Sequence, residues 1–494
     1  MQAGDFLQVP VNLRIPGQFV EFNNAGALRG TPPKPNRILV FGQMLAAGSA
    51  PANTPILISG GQSNWTTLFG RGSQLTTILN KLRAANSFDE CWAIAQADNG
   101  AGTAATGSIK FTALPAVAGT QNFYIAGQLV QIAVAPTGMT LAQIATALAA
   151  AINADLDLPV TAQVDGVDTT KVDLTCIHKG VDVGNIDIRT TYFANDANVQ
   201  GLGMTIVQLS GGAGNPLIAT AIANLGNTWF VHWVMPYTDG TNLTALQTEL
   251  DRRLGPLVQQ EGHSYITSTG SVGTLATFGQ TFNTNEHSCM GVNKSPTPPY
   301  LWTAVLAGVC AASLGIDPAR QVAQLQLPGI LAPAMADRFI DSDKNNLLFD
   351  GISTFDVDDG GNVTINNLIT MYRNNPAGLP DPSYLEIETM FALFYMRFSL
   401  RVFVANQWPR YKLADDGTVI RPGAPVTTPS KVRAGIVALA ARDWDGFVMD
   451  DLDAFKAAIN VVRDNDDPDR VNALLPPNII GNLRRFAGQI AFTL

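Results

Sequence analysis

Hydrophobic positions along this 494-residue chain repeat with two periods, one typical of buried strands and one typical of helices. Residues 37–45 and 91–95 form near-continuous apolar runs, as strands buried on both faces do. Between them, four apolar positions recur at helical spacing: Leu75, Ile78, Leu79 and Leu82. The alternation resumes with predicted strands at 228–235 and 264–267 and predicted helices at 243–254 and 301–314. This pattern predicts an α/β core with a mixed sheet and helices.

The stretch that interrupts this alternation, residues 103–212, has a composition of its own. It is rich in Ala, Gly, Thr and Val, and glycine-containing segments flank it at both ends. Thr140 is a candidate N-cap for a helix whose apolar positions lie on one face. Strands are predicted around this helix at 123–133, 160–164, 171–177 and 186–192. The segment therefore predicts a small inserted α+β domain.

The remainder of the chain predicts a further domain and two extended ends. Residues 353–357 and 363–366 flank a Gly-rich turn, which indicates a hairpin, and amphipathic helices are predicted at 383–401 and 429–443. Both chain ends alternate polar and apolar residues without an obvious local partner. We predict an N-terminal arm (1–25), the α/β core (26–102 plus 213–340), the insert (103–212), an α+β C-terminal domain (341–480) and a C-terminal arm strand (481–494).

Composition narrows the class of protein. Charged residues make up 14% of the chain, against roughly 25% in ordinary soluble domains, and mean hydropathy is +0.12. The formal net charge of -9 argues against a nucleic-acid binder. The apolar helical stretch at 301–316 is shorter than the roughly 20 residues a membrane span needs, and residues 1–17 carry no signal-peptide pattern. Extensive protein–protein contact is therefore the preferred explanation for the low charge.

Motifs for catalysis or metal binding fail one by one. The chain has no Gly-Lys-Ser/Thr and no G-x-S-x-G, and no G-x-G-x-x-G follows the first apolar run. The four histidines are never four residues apart, and the four cysteines have no zinc spacing. Residues 341–352 begin like a calcium loop but lack its Gly at position 6 and Glu at position 12. We predict no catalytic residue, no metal site, no cofactor and no enzyme activity.

Several strings, in order along the chain, resemble one known family. They are PVNLRIPGQFVEF (10–22), RQVAQLQLPGILAP (320–333), DGISTFD (350–356), ITMYRNN (369–375), DPSY (381–384) and NLRRFAGQIAF (482–492). Together they resemble the tail sheath proteins of Mu-like contractile bacteriophages. The likeness covers most of the chain outside the insert.

The resemblance implies a structural function in a phage tail, with no nucleic-acid partner and no membrane insertion. Sheath subunits assemble in the host cytoplasm as stacked hexameric rings around a tail tube, in contact with baseplate and tail terminator proteins. When the baseplate is triggered they contract and drive the tube through the host envelope. In the family both terminal arms add as strands to neighbouring subunits. The corresponding side chains here are Leu13, Ile15, Phe19, Val20 and Phe22 in the N-terminal arm and Phe486, Ile490 and Phe492 in the C-terminal arm. By charge alone, the residues that face the tube would be Lys431, Arg433 and Arg442.

Two other functions stay open at the level of sequence. The β–α alternation also suits an α/β enzyme with a decorated insert, because fold does not fix function. A receptor- or glycan-binding module of a virion, with residues 103–212 as the binder, is the other alternative. For the arms, the simpler alternative is that their apolar residues complete the sheets of their own subunit.

Overall fold

The structure, a computed structural model, describes residues 34–493 of the chain. The predicted N-terminal arm, with Leu13, Ile15, Phe19, Val20 and Phe22, lies outside the described residues. Chain contacts divide the described part into two compact units. The large unit comprises residues 35–395, 446–450 and 478–493, and the small unit comprises residues 396–445 and 451–477 together with Lys34.

Strands and helices alternate along the described chain. The strands are β1 Ile38–Gln43, β2 Pro55–Leu57, β3 Cys91–Gln96, β4 Ala104–Ala113, β5 Gly119–Ile125, β6 Gln128–Val134, β7 Val160–Val164, β8 Lys171–Lys179, β9 Ile188–Arg189, β10 Gly203–Ser210, β11 His232–Val234, β12 His263–Thr269, β13 His287–Val292, β14 Ile352–Val357, β15 Val363–Asn367, β16 Lys412–Leu413, β17 Val426–Thr427, β18 Met449–Asp450, β19 Asn460–Arg463, β20 Val471–Leu474 and β21 Asn478–Ile479. The helices are α1 Gln62–Phe69, α2 Gln74–Ala85, α3 Leu141–Ala154, α4 Ala219–Ala223, α5 Gly240–Leu254, α6 Val272–Thr281, α7 Pro299–Ile316, α8 Asp341–Phe349, α9 Ile387–Gln407, α10 Pro429–Leu439 and α11 Leu452–Ala458.

An eight-stranded sheet forms the centre of the large unit, in the order β15-β14-β13-β12-β11-β1-β3-β2. The six inner strands run parallel, and the edge strands β2 and β15 pair antiparallel with their neighbours. Every residue of β1 is buried, as its apolar run predicted. Parallel strands need cover on both faces, which the helices between them provide. The predicted mixed α/β fold is confirmed, and its strand order follows from this pairing.

Helix α7 illustrates why apolar length alone is ambiguous. Its 18 residues suit a membrane span by length and composition, the one such helix among residues 34–493, yet 72% of it is buried inside the protein. The hydroxyl of Thr303 donates to the hydroxyl of Thr267 on β12 at 2.9 Å, and a side chain at Gly308 would press on Ala85 of α2. The helix therefore packs between α2 and the central sheet.

Residues 104–210 fold as two small sheets and one helix. The sheets have the orders β10-β4-β8-β7 and β6-β5-β9. Thr140 caps α3, since its hydroxyl accepts the Gln143 amide hydrogen while the Gln143 side chain accepts the amide hydrogen of Thr140. Ala126 and Gly127 turn the chain between β5 and β6 with positive φ angles of 55° and 78°. The predicted strands at 123–133, 160–164 and 171–177 and the predicted helix are present, whereas the strand predicted at 186–192 shortens to the two residues of β9.

Strand pairing crosses the limit that the sequence predicts at residue 340. β14 pairs parallel with β13, with Cys289 opposite Ile352, and β15 returns antiparallel to β14. The hairpin predicted at 353–366 is therefore part of the central sheet. The predicted domain limits stay predictions, and residues 341–395 lie in the large unit.

The small unit is built around the second half of α9 and around α10. The indole of Trp444 donates to the hydroxyl of Ser399 at 2.8 Å, and Trp408 lies so close to Gly435 that a Cβ there would be 2.9 Å from its ring. The helix predicted at 429–443 is present as α10 followed by a π-helical turn, Ala440–Trp444. Outside the helices, the unit holds the strand pairs β16–β17 and β19–β20.

The Glu286 carboxyl, next to β13, is buried within the large unit. Burial raises its pKa to about 7, against a hydrogen bond from the Thr284 hydroxyl, and the nearby Asp251 carboxylate adds to the rise. A carboxyl whose pKa is raised in the folded state favours folding while it is protonated. The contribution of this carboxyl to the free energy of unfolding is complete at pH values below the pKa of an ordinary glutamate. It is lost as the pH rises through the pKa that Glu286 has in the folded protein.

We expect Glu286→Gln to remove this pH dependence. Relative to the unchanged chain, the variant should gain on the order of 1 kcal/mol of unfolding free energy at about pH 8 and less at about pH 5. Urea unfolding at both pH values measures the difference. As a control, Glu90→Gln replaces a more exposed carboxyl whose pKa is lowered by hydrogen bonds from Trp92 and Arg37 despite partial burial, so its effect should be the same at both pH values. A Glu286→Gln effect that is equal at both pH values would contradict the assignment.

Candidate assembly site

The carboxyl edge of the central sheet is where an α/β enzyme would bind its ligand. The strand order reverses at β1, which has β3 on one side and β11 on the other. Open parallel sheets bind ligands at such switch points, beyond the carboxyl ends of the strands. In this chain, residues of the 104–210 segment occupy the position.

His178, at the end of β8, is buried at this switch point. Its Nδ1 lies 2.8 Å from the Asp98 carboxylate, and its Nε2 accepts the amide hydrogen of Gln74 at 3.2 Å. Gln43, the last residue of β1, donates to Asp98 at 2.8 Å and to the Lys179 carbonyl at 2.7 Å. Burial opposes ionisation of Asp98, but the hydrogen bonds from His178, Lys179 and Gln43 outweigh it and lower the pKa of that carboxyl. The ring of His178 is thus committed to holding the segment against the sheet.

Asp182 makes a second connection between this segment and the sheet. Its carboxylate accepts hydrogen bonds from the Thr238 hydroxyl at 2.5 Å, the Thr238 backbone amide at 3.1 Å and the Asn215 side-chain amide at 2.6 Å. Burial raises the pKa of Asp182 above its ordinary value, although these donors oppose the rise. Because the acceptor oxygens are already used by protein donors, the switch point is filled by structural contacts.

Two serine–histidine pairs inside the sheet resemble catalytic pairs only in their distances. The Ser264 hydroxyl and His287 Nδ1 are 2.5 Å apart, and His263 Nε2 and the Ser288 hydroxyl are 2.8 Å apart. All four side chains have no exposed surface. Burial lowers the pKa of His287 to about 4 and that of His263 to about 3, so both rings are neutral near pH 7. These pairs satisfy polar groups between β12 and β13, and no substrate has a path to them.

The described chain also offers no cluster of metal ligands and no exposed thiol. Over residues 34–493, no three His, Cys, Asp or Glu side chains lie close enough together to hold a metal ion. Cys91, Cys176, Cys289 and Cys310 are free and buried. Burial raises the pKa of Cys91 and Cys289 to about 12, which keeps these thiols protonated.

A groove with a volume of about 910 Å³ lies within the large unit. Residues 189–196 line one side of it, and residues 326–335 with 359–363 line the others. The Tyr192 hydroxyl donates to the Ala332 carbonyl at 3.2 Å, which ties the two sides together. The ring of Phe193 and the side chain of Met335 are both exposed in the groove. This groove is the place to look for a ligand of the 104–210 segment.

The C-terminal segment is bound to the rest of the large unit at its start, and its end is exposed to solvent. β21 pairs antiparallel with β18. Arg484 then reaches the Glu388 carboxylate at 2.6 Å and the Asn367 side chain at 2.7 Å. Beyond it Phe486, Ile490 and Phe492 are 88%, 92% and 78% exposed. Large apolar side chains normally stabilise a fold because burial removes them from water. Phe486, Ile490 and Phe492 stay in contact with water in the single chain.

In the small unit, the hairpin of β19 and β20 has open edges. The two strands pair only with each other among residues 34–493, through four residue pairs from Asn460–Leu474 to Arg463–Val471. Val462 and Leu474 are exposed on this hairpin. A two-stranded ribbon is marginally stable in water and gains from a third strand. The hairpin is therefore a natural acceptor for an added strand.

The structure gives the three basic residues that the sequence assigned to the tube different surroundings. Lys431 is exposed on α10. Arg433, on the same helix, donates to the backbone carbonyls of Lys456 and Ile459 at the end of α11. Arg442 contacts the Asp443 carboxylate at 2.6 Å. Their role at a tube stays a prediction, but Arg433 also has a structural role that its sequence context did not signal.

The exposed C-terminal segment and the open hairpin edges suit a protein that assembles with others, and comparisons with known proteins identify its family. The family model described as "Phage tail sheath protein central domain" matches residues 211–371, and "Phage tail sheath C-terminal domain" matches residues 380–493. The Mu-like prophage FluMu tail sheath protein of Haemophilus influenzae is 37% identical over 489 residues, which cover 99% of each chain. The chain therefore belongs to the phage tail sheath protein family, and the resemblance seen in its sequence strings is confirmed.

Solved structures of sheath proteins also align over nearly the whole chain. The sheath tail protein of Desulfitobacterium hafniense aligns with a TM-score of 0.47 and 12% identity, over 94% of this chain and 100% of that one. The helical sheath of the anti-feeding prophage in its contracted state aligns with a TM-score of 0.47 and 12% identity, over 98% of this chain and 99% of that one.

We expect Arg433→Ala to destabilise the small unit. The change removes two charged hydrogen bonds to carbonyls at the end of α11, which should cost about 1 kcal/mol of unfolding free energy. Lys431→Ala, on the same helix and exposed, is the matched control and should be neutral. Chemical denaturation followed by tryptophan fluorescence compares them, since Trp408 and Trp444 lie in the small unit. Equal stability of the two variants would rule out the structural role of Arg433.

Proposed function

We propose that this chain is the polymerising subunit of a contractile tail sheath. Copies of it stack as hexameric rings around a tail tube, in contact with baseplate and tail terminator proteins, and their contraction drives the tube through the host envelope. Family membership supports this function. The structural observation that carries it is the combination of a bare apolar C-terminal segment with a hairpin whose edges are open.

Strand exchange is the link that we propose between subunits. Phe486, Ile490 and Phe492 are too exposed to serve the fold of their own chain. An added strand would bury them and complete the β19–β20 ribbon of a neighbouring copy. The N-terminal residues Leu13, Ile15, Phe19, Val20 and Phe22 are proposed to pair in the same way. Main-chain pairing of this kind holds subunits together while their rigid parts rotate, which contraction requires.

The tube-facing surface is proposed to include Lys431, Arg433 and Arg442. Lys431 and Arg433 are both exposed residues of α10. The chain as a whole is acidic, with a net charge of -9, so a local basic surface favours contact with an acidic partner. We place the assembled subunit in the virion tail, after assembly in the host cytoplasm.

A role without catalysis is part of the same proposal. The switch point of the central sheet is filled by His178, Asp98 and Asp182 with their partners, so an α/β enzyme would lack its usual ligand crevice. For a receptor- or glycan-binding module, the groove beside Phe193 has a size that suits a small ligand. A glycan screen of the full chain, with Phe193→Ser as the control, addresses that alternative.

Deleting residues 1–22 tests the N-terminal arm. Negative-stain electron microscopy of the purified full chain, alone and with tail tube protein, should show rings or tubes that the deletion variant does not form. The reason is that the variant lacks the strand that links each subunit to its neighbour. Tubes from both proteins would sink the role of the N-terminal arm, and dispersed particles from both in the presence of tube protein would sink the sheath function.

Replacing Phe486, Ile490 and Phe492 together by Ser tests the C-terminal arm. Because these side chains are already exposed in the single chain, the thermal unfolding temperature should stay unchanged. Assembly should require about a hundredfold or more higher protein concentration, since three apolar burials between copies are lost. Sedimentation measures the critical concentration.

The matched control for this variant replaces three apolar residues elsewhere that are at least as exposed: Val167, Leu257 and Val419, each changed to Ser. This control should assemble like the unchanged chain. Equal assembly of the C-terminal variant and the control would rule out the arm as a link.

A further inference from the structure

Burial along the C-terminal segment changes abruptly at one residue. Ile479, Ile480, Asn482 and Arg484 are half-buried, and every residue from 485 to 493 is exposed. The side chains of Asn482 and Arg484 face the large unit, and Leu483 between them is 78% exposed. The segment therefore has an attached part and a bare part, with the division after Arg484.

Asn482 attaches the chain through backbone groups of the large unit. Its side-chain oxygen accepts the amide hydrogen of Gln321 at 3.2 Å, and its side-chain nitrogen donates to the Ala319 carbonyl at 2.9 Å. The amide thus pairs with the backbone on either side of Arg320, as a neighbouring strand would. This two-point contact fixes the position of Asn482 along the 319–321 backbone.

Arg484 contacts three acceptor side chains, of which Glu388 is buried. Its guanidinium contacts Glu388 at 2.6 Å and Glu386 at 3.1 Å, and it donates to Asn367 at 2.7 Å. Glu388 is only 2% exposed, and it also accepts the amide hydrogen of Val322 at 2.8 Å. A buried carboxylate that loses its cation is strongly destabilising, so the burial of Glu388 favours keeping the arginine.

We propose that Asn482 and Arg484 anchor the C-terminal segment to its own subunit, so that the part exchanged with a neighbouring copy begins after Arg484. The position of the exchange rests on the proposed function, whereas the anchor is a property of the single chain. Residues 485–493 span about 30 Å when extended. They carry all three apolar side chains assigned to the arm. The anchor then sets the point about which the arm swings when subunits rotate.

Hydrogen exchange of the dispersed chain tests the anchor itself. Arg484→Ala should lower the protection of amides between 478 and 484, and of Val322, by about tenfold or more, because charged hydrogen bonds to a buried group are lost. Arg485→Ala, at the adjacent exposed arginine, is the matched control and should leave protection unchanged. Equal protection in the two variants would overturn the anchor, whether or not the chain polymerises.

A reversible disulfide tests whether the anchor persists in the polymer. Gln321→Cys combined with Asn482→Cys places two thiols where the backbone contact now lies, and the native thiols are buried. If the segment stays on its own subunit, the oxidised variant should form tubes like the reduced variant and like each single-cysteine variant. Tubes that form only after reduction would overturn the proposal while leaving the sheath function intact. If no form assembles on tail tube protein, the unchanged chain included, the sheath function is rejected, and so is the proposed start of strand exchange after Arg484. The hydrogen-exchange experiment would still decide whether Asn482 and Arg484 anchor the segment.

Discussion

The hydrogen-bonding capacity of unpaired backbone is the constraint on which the organisation of this protein depends. A strand whose edge is open in a single chain gains stability when another strand pairs with it. The β19–β20 ribbon has two such edges, and the residues from 485 to 493 are exposed and belong to no helix or strand. A subunit built in this way reaches its full set of contacts in an assembly. The low charged fraction, 14%, agrees with a chain that leaves much of its surface for contact with copies of itself.

The buried polar side chains of the large unit hold segments of the chain in place through their hydrogen bonds. The switch point of the sheet, the usual place for a ligand, is filled by His178 and Asp182 with their partners. Arg484 is held by Glu388 and Glu386 in a similar manner. Each arrangement places a charge or ring where its hydrogen bonds are satisfied only in one geometry. Buried polar contacts of this kind specify a unique arrangement because the alternatives leave unpaired groups.

The packed core of the large unit and the segment proposed to link subunits thus lie in different parts of the chain. The central sheet, with β1 fully buried and α7 packed between α2 and β12, is the rigid part. Residues 485–493 make no hydrogen bond within residues 34–493, so they are the part that can pair elsewhere. Contraction as we propose it moves rigid parts and keeps main-chain links intact, and this division of the chain suits that motion.

Sequence by itself determined the elements with strong periodicity and the family. The buried run of β1, the helical faces of α2 and α3, and the Thr140 cap follow from spacing and side-chain type, which act locally. The sequence did not predict β4 and β10, because Ala, Gly and Thr dominate β4 and no residue of β10 is buried, so neither strand has a clear apolar period. Only the tertiary structure decided that the 353–366 hairpin joins the central sheet, that His178 closes the switch point, and that Arg484 meets Glu388, 96 residues away in sequence. These outcomes depend on which distant groups share a buried space, and no local pattern encodes that.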